Sequence, residues 1–373
     1  MTGSVLAANG PPHLSLTTVG SATEIHLTIS PSSRFEAIDV RQRLAKEQRD
    51  SLDGHAKALY CSLHTTAGYL DPSLLARLRH RSDHLELFFR AFRVLFPPGA
   101  PYRHDRMEER TELSEAQRKV EPRNADSHLT FIGAGMRNCV TYPNHAESPV
   151  YFVDLDGESE GMRRERRTTV LAYDQERVVG REVISVPVSR HPIDSVNLAD
   201  ARTGFMDRVD ELLARAGIEK GRVDITLEPA QRHAGLTVNE YETLLMRHDL
   251  VDVLRDPLRF AAQKGKHILD DPFAVPGKTL NYARYDFVRV FNSLVEVFGL
   301  DNSAVESLAA KLLAVPARRF LRMKRRISFL ASDPDGSGRA HLVRGTYQSP
   351  ILVQWGRAER QTRSVDVSLV RFD

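Results

Sequence analysis

Hydrophobic and polar positions alternate along this chain with two different periods, and each change of period marks an element. Ile25, Leu27 and Ile29 alternate with Glu24, His26 and Thr28, the pattern of a half-buried strand, and a partner strand precedes it from His13 through a turn near Gly20. Phe35, Ile38, Ala45 and Leu52 fall on one stripe and predict a helix over about 35–52. The apolar run Ala58–Leu63 reads as a strand. Leu85, Phe88, Phe89, Phe92, Leu95 and Phe96 recur at helical spacing, so 83–96 is a helix with a core-facing aromatic stripe, stopped by Pro97, Pro98 and Pro101. Leu129–Ile132 and Pro149–Leu155 read as two further strands before an Arg-rich tail, Arg163–Val170.

The second half restarts the same order. Val183–Val188 is strand-like, a helical stripe of Leu198, Phe205, Val209, Leu212 and Leu213 runs through 196–216, and Val223–Leu227 is a strand. Gly54 and Gly221 are 167 residues apart, and so are Gly68 and Gly235. Each half closes on a proline, an apolar strand and arginines: Pro149–Gly157 then Arg163, and Pro350–Gly356 then Arg357, Arg360 and Arg363. Matching order, offset and endings imply a divergent tandem duplication with units at 13–175 and 180–373, the second holding a helical insertion near 271–326. The expected fold class is α+β, each unit a mixed or antiparallel sheet packed with helices.

Composition excludes more than it assigns. With 41% apolar and 27% charged residues, the chain can bury sizeable cores. A net charge of +3 is too mild to imply nucleic acid, and the basic stretch Arg318–Arg326 reads as a solvated helix face or an intersubunit surface. Cys61 and Cys139 sit in apolar contexts with no CxxC pair, which fits reduced buried thiols. No stretch reaches the roughly 18 apolar residues of a membrane-spanning helix, and no signal peptide opens the chain. The expected location is cytoplasmic, with no membrane partner.

The chemistry concentrates after the Ala58–Leu63 strand, in His64-Thr65-Thr66-Ala67-Gly68. The glycine suits a turn, and the threonines set hydroxyls beside an imidazole. Downstream stand Tyr102-Arg103-His104-Asp105 and Asn124-Ala125-Asp126-Ser127-His128. The second half supplies Ala234-Gly235-Leu236-Thr237-Val238-Asn239-Glu240 and Gly345-Thr346-Tyr347-Gln348. Together these segments resemble the YjbQ-like family, small proteins often labelled secondary thiamine phosphate synthases. Each half carries pieces the other lacks: Gln231 lies 167 residues after His64, and no Asn-Glu pair follows Gly68. That distribution leaves open one composite site or one surviving site beside a structural unit.

The separations of His64, His104 and His128 match no compact zinc motif. The resemblance implies that these three hold a divalent metal, zinc first, with a position left for water or substrate. Among the catalytic candidates Glu240, Asn239 and Asn124, Glu240 is either a general base buried near the histidines or an exposed helix-start carboxylate, and Asn124 either fixes a substrate oxygen or holds the loop that presents His128. Thr65, Thr66, Gly68 and Gln348 are the candidate substrate contacts. Imidazoles beside threonines can instead bind phosphate without metal, with Arg163, Arg164, Arg166 and Arg167 assisting. Asp105 and Asp126 either orient ligand histidines or cap turns. The implied activity joins a pyrimidine pyrophosphate to a thiazole phosphate, with a small phosphorylated substrate as partner and a homo-oligomer, a trimer by resemblance, as assembly. The competing reading is a non-catalytic metal- or ligand-binding protein with one unit kept for oligomerisation. Gly133-Ala134-Gly135 lacks the rest of a dinucleotide fingerprint, and Asp333–Gly338 reads as a hairpin turn, since Arg344 stands where a calcium loop needs its glutamate.

Overall fold

The computed structural model describes residues 15–19, 22–47, 52–145, 148–159, 161–256, 260, 263, 323–333 and 339–373. Most of the insertion expected at 271–326, the expected N-terminal arm and most of the Asp333–Gly338 turn lie outside them. The first half runs β1 (Ser15–Val19), β2 (Ala22–Ile29), β3 (Glu36–Asp39), α1 (Val40–Glu47), β4 (Lys57–Ser62), β5 (Ala67–Gly68), α2 (Pro72–Arg77) and α3 (Ser82–Leu95). It continues with α4 (Glu115–Val120), α5 (Ala125–Ala134), β6 (Cys139–Pro143), β7 (Tyr151–Asp154), the short pair β8 (Glu158–Ser159) and β9 (Met162–Arg163), and β10 (Arg166–Tyr173). The second half runs β11 (Glu176–Pro187), β12 (Ile193–Asn197), α6 (Phe205–Ala216), β13 (Lys220–Leu227) and β14 (Ala234–Asn239). A π-helical turn (Leu245–Asp249), α7 (Leu250–Arg255), β15 (Arg326–Ser332), β16 (His341–Val343), β17 (Ser349–Trp355) and β18 (Thr362–Phe372) follow. The class is α+β.

The halves share a strand order over four strands of their large sheets, β2-β10-β4-β6 and β11-β18-β13-β15, with the fifth strand on opposite edges. One five-stranded sheet is β1-β2-β10-β4-β6, and the other is β11-β18-β13-β15-β16. Each half adds a three-stranded sheet, β3-β7-β5 or β12-β17-β14. All these neighbours pair antiparallel. The two large sheets meet through Leu59, Cys61, Cys139, Leu171 and Tyr173 on one side and Leu330, Val370 and Phe372 on the other. Tyr173 stacks on Phe372 at 3.8 Å. Cys61 and Cys139 face each other across β4 and β6, buried and unbridged.

The core of the first half is shared. Leu245, Met246, Leu250, Val253, Leu254, Ile351 and Val353 of the second half pack into it beside the α3 aromatics and α5. The second half's own core centres on α6, β13, β15 and β18. Among the described residues, no helix is long and apolar enough to cross a membrane.

Four expectations are corrected. Residues 36–39 form β3, pairing with β7, before a short α1 begins; Asp39 Oδ1 accepts the Arg41 and Gln42 amides (both 3.1 Å) and starts that helix. Leu129–Ile132 lies inside α5, which is buried on every side and so shows no helical stripe. The stripe through 196–216 begins on β12, passes through a 3-10 turn at Ala201–Thr203 and becomes α-helical only from Phe205. Finally, Gly54 makes a left-handed turn (φ 87°) before β4, but Gly221, 167 residues later, is not a turn glycine before its strand. Gly221 instead sits within β13, where a Cβ would lie 2.1 Å from the Val370 carbonyl oxygen.

Candidate metal centre at the junction of the halves

Two sequence-distant histidines and a glutamate converge where the halves meet. One ligand atom each from His104, His128 and Glu240 lies within 4.8 Å of the others. The His104 and His128 rings are 5.1 Å apart, and His128 Nε2 is 3.6 Å from Glu240 Oε2. His104 comes from the loop after α3, His128 from α5 and Glu240 from the residue after β14. Both imidazoles are buried, at 0% and 1% exposure.

Their ring orientations are fixed from behind. Asp105 Oδ1 lies 2.9 Å from His104 Nδ1 and also accepts the Ala125 amide at 3.1 Å. Asn239 Oδ1 lies 2.8 Å from His128 Nδ1 and accepts the Glu240 amide. Asn239 Nδ2 donates to the Thr65 carbonyl, which sets the amide's orientation and makes its oxygen the acceptor facing His128. Each ring therefore carries its proton on Nδ1 and presents an Nε2 lone pair to the centre. His104 Nε2 is buried with no hydrogen-bond partner among the described residues.

Burial also keeps the rings neutral. It lowers His104 to about 3, with the Arg110 charge adding to the shift, and it pushes His128 well below the usual histidine range. Glu240 is raised to about 7 by burial and by Glu121, opposed by Arg110. Arg110, 1% exposed, gathers Glu112, Glu121 and Glu240 at 2.7, 3.2 and 3.4 Å. Asp105 is raised to about 6 by burial.

A cavity of about 340 Å³ adjoins the cluster, lined by His128, Glu240 and Asn124 together with His64, Thr65 and Thr66. Arg164, Arg166, Glu121 and Tyr347 complete its walls. Arg166 is committed to Asp154 (2.6 Å) and to Thr66 Oγ1 (3.3 Å), whereas Arg164 reaches Asp156 at 3.0 Å and stays partly open. Asn124 Nδ2 donates to Asp156 Oδ2 at 2.7 Å, leaving Asn124 Oδ1 and Asp156 Oδ1 buried without partners among the described residues.

The structure thus joins His104 and His128 and adds Glu240, while His64 stands apart. The His64 Nε2 accepts the Arg167 amide at 2.7 Å, so that nitrogen is already used. Gln348 spends its side chain on the His64 loop: Nε2 donates to the carbonyls of Ser62 (2.9 Å) and His64 (2.8 Å), and Oε1 accepts the Gly345 amide. Gly68 is needed for close approach, because a Cβ there would lie 2.4 Å from the Arg137 carbonyl oxygen. Asp126 pairs with Arg34 at 2.8 Å, whereas Asp105 is the carboxylate bonded to His104. Sequence reasoning missed Arg110, Asp156 and Asp249. Arg110 stands among acids in Glu108-Glu109-Arg110-Thr111-Glu112, a weak signal; the other two carry none.

No family profile matches the sequence, and no curated protein does. Solved structures similar to it include a Sulfolobus solfataricus P2 protein described as YbjQ-like and of unknown function. It is 19% identical, with a TM-score of 0.27, over 53% of this chain and 99% of that one. A hypothetical protein from Aeropyrum pernix K1 is 17% identical over 51% and 96%, TM-score 0.26. An uncharacterised Clostridium acetobutylicum protein of the YjbQ/UPF0047 family is 14% identical over 50% and 98%, TM-score 0.25.

Proposed function

We propose that this protein binds a divalent transition metal through His104, His128 and Glu240, and that the adjoining cavity receives a small phosphorylated substrate. The observation that carries the reading is the pair of neutral, buried imidazoles whose Nε2 atoms converge with a carboxylate, one of them without a partner among the described residues. A buried lone pair left unmatched costs stability unless a ligand satisfies it. Two nitrogens and a carboxylate suit zinc and leave a fourth position open. The residues therefore fit the ion, which when bound supplies positive charge for a phosphoryl oxygen.

The chain's own groups prepare that position. Asp105 and Asn239 hold the two rings in one tautomer. Thr65, Thr66 and the partly open Arg164 offer donors to an anion in the cavity, and Asn124 Oδ1 offers an acceptor to its organic part. Asn239 and Gln348 act by holding the loop that bears His64 and Thr65. Because the histidines come from one half and Asn239, Glu240 and Gln348 from the other, the site is composite.

Within this reading, the resemblance to the YjbQ-like family makes condensation of a pyrimidine pyrophosphate with a thiazole phosphate the reaction to assay first. The second reading, a non-catalytic binding protein, is favoured by Glu240 itself, whose carboxylate is already engaged by Arg110. Elemental analysis of protein purified without added metal, beside a His104→Ala/His128→Ala variant, tests the centre. Near-stoichiometric metal that the variant loses is expected; no metal in either protein overturns the reading. Product formation by the loaded protein then separates enzyme from binder.

A further inference from the structure

We infer that Asp249, contributed by the second half, is a positioning residue that sets His104 for metal binding. The inference rests on the metal reading of the site. Asp249 is 1% exposed and ends the π-helical turn that precedes α7. Its Oδ1 accepts the Arg103 amide at 3.2 Å and its Oδ2 accepts the His104 amide at 3.0 Å. One carboxylate thus grips two consecutive main-chain donors of the loop that delivers a ligand, through charge-assisted bonds.

The anchor behind Asp249 is itself rigid. Glu242 opens the turn by accepting the Leu244 and Leu245 amides at 2.7 and 2.6 Å. Leu245, Met246, Leu250 and Val253 then pack into the first half's core. Wide π-type turns recur where a helix must aim a side chain at a site. With its backbone held by Asp249 and its ring by Asp105, His104 retains little freedom to turn Nε2 away from His128 and Glu240. Asparagine would keep one acceptor but turn an NH2 group toward the second amide. The loop would lose one bond, and His104 its fixed position.

The test is a cobalt(II) titration of the intact protein, wild type against D249N, read by affinity and by the visible absorption of the bound ion. Loss of a group behind a metal ligand weakens binding by about 10–100-fold. That loss is expected for D249N, with an altered spectrum, at a temperature where both proteins are folded. Asp252→Asn, at an exposed position on α7, is expected to leave both unchanged. Wild-type affinity and spectrum in D249N overturn the inference. If the wild type takes up no cobalt, the metal reading fails separately, and Asp249 is judged from the ¹H–¹⁵N imidazole spectrum. A single Nδ1–H form of His104 that is lost in D249N supports the positioning role, and an unchanged pattern overturns it. Should D249N not fold, D249E, which keeps the charge but displaces the carboxylate, is read in the same way.

Discussion

His64 is neutral because burial and then the charges of Arg166, Arg167 and Arg164 lower it to about 3. Unfolded histidine titrates near 6.5. Below that pH the unfolded chain takes up a proton that the folded chain refuses until about 3, so this group's support for folding is complete above about 6.5 and lost as pH falls through the interval. His64→Gln is expected to flatten the fall in unfolding free energy by about one proton between pH 6 and 4. Urea denaturation at a series of pH values measures it, and parallel curves for the two proteins refute it. Arg110 makes the opposite case, a buried cation that three glutamates share. Arg110→Met strips Glu240 of that partner, and because the glutamates keep part of their hydration the cost is on the order of 1–3 kcal/mol. A shift in urea midpoint at unchanged slope is the expected signature; an unshifted midpoint would place the glutamates in water.

At the scale of elements, the sequence is readable wherever one face of an element meets water. The alternation around Ile25–Ile29 and the aromatic stripe of α3 each encode a buried side and an open side, and both elements form. α5 offers no such contrast, since all ten of its residues are buried. It carries His128, so the least legible element holds part of the site. β3 hides inside a helical stripe because its four half-buried residues show no alternation and only pairing with β7 defines them. Gly345–Gln348 is legible as a motif, but not as the brace it forms. A Cβ at Gly345 would lie 1.8 Å from the Leu63 carbonyl oxygen, so the turn lies flat on the loop that carries His64 and Thr65. Gly345→Ala must push that turn away and break the Gln348 bonds. Overpacking of this kind costs on the order of 1–3 kcal/mol, and thermal unfolding is expected to drop accordingly. An unchanged melting temperature would mean that the brace yields freely.

Taken as a whole molecule, the two halves share most of a strand order, yet the first half is not self-sufficient. The first half lacks Asn239, which orients His128, and Glu240, which completes the cluster. It also lacks Leu245, Met246, Leu250, Val253, Ile351 and Val353, which close its core. Exposing the surface they cover would leave an apolar hollow where a core should be. Between Tyr173 and Glu176 the chain passes from one half to the other, and there the Asp174 and Gln175 amides both donate to the Asp373 carbonyl. Cutting after Asp174 therefore divides the repeat while severing no strand. Residues 1–174 produced alone are expected to be poorly soluble and to bind no metal. Co-produced with residues 175–373, they are expected to form a complex that regains the uptake of the intact chain, because the packed sheets and the shared core hold the two pieces together without the peptide bond between them. Metal content of the copurified fragments, set against each fragment alone, decides it. Stoichiometric metal in residues 1–174 by themselves would show that the histidines need nothing from the second half, and the composite site would fall.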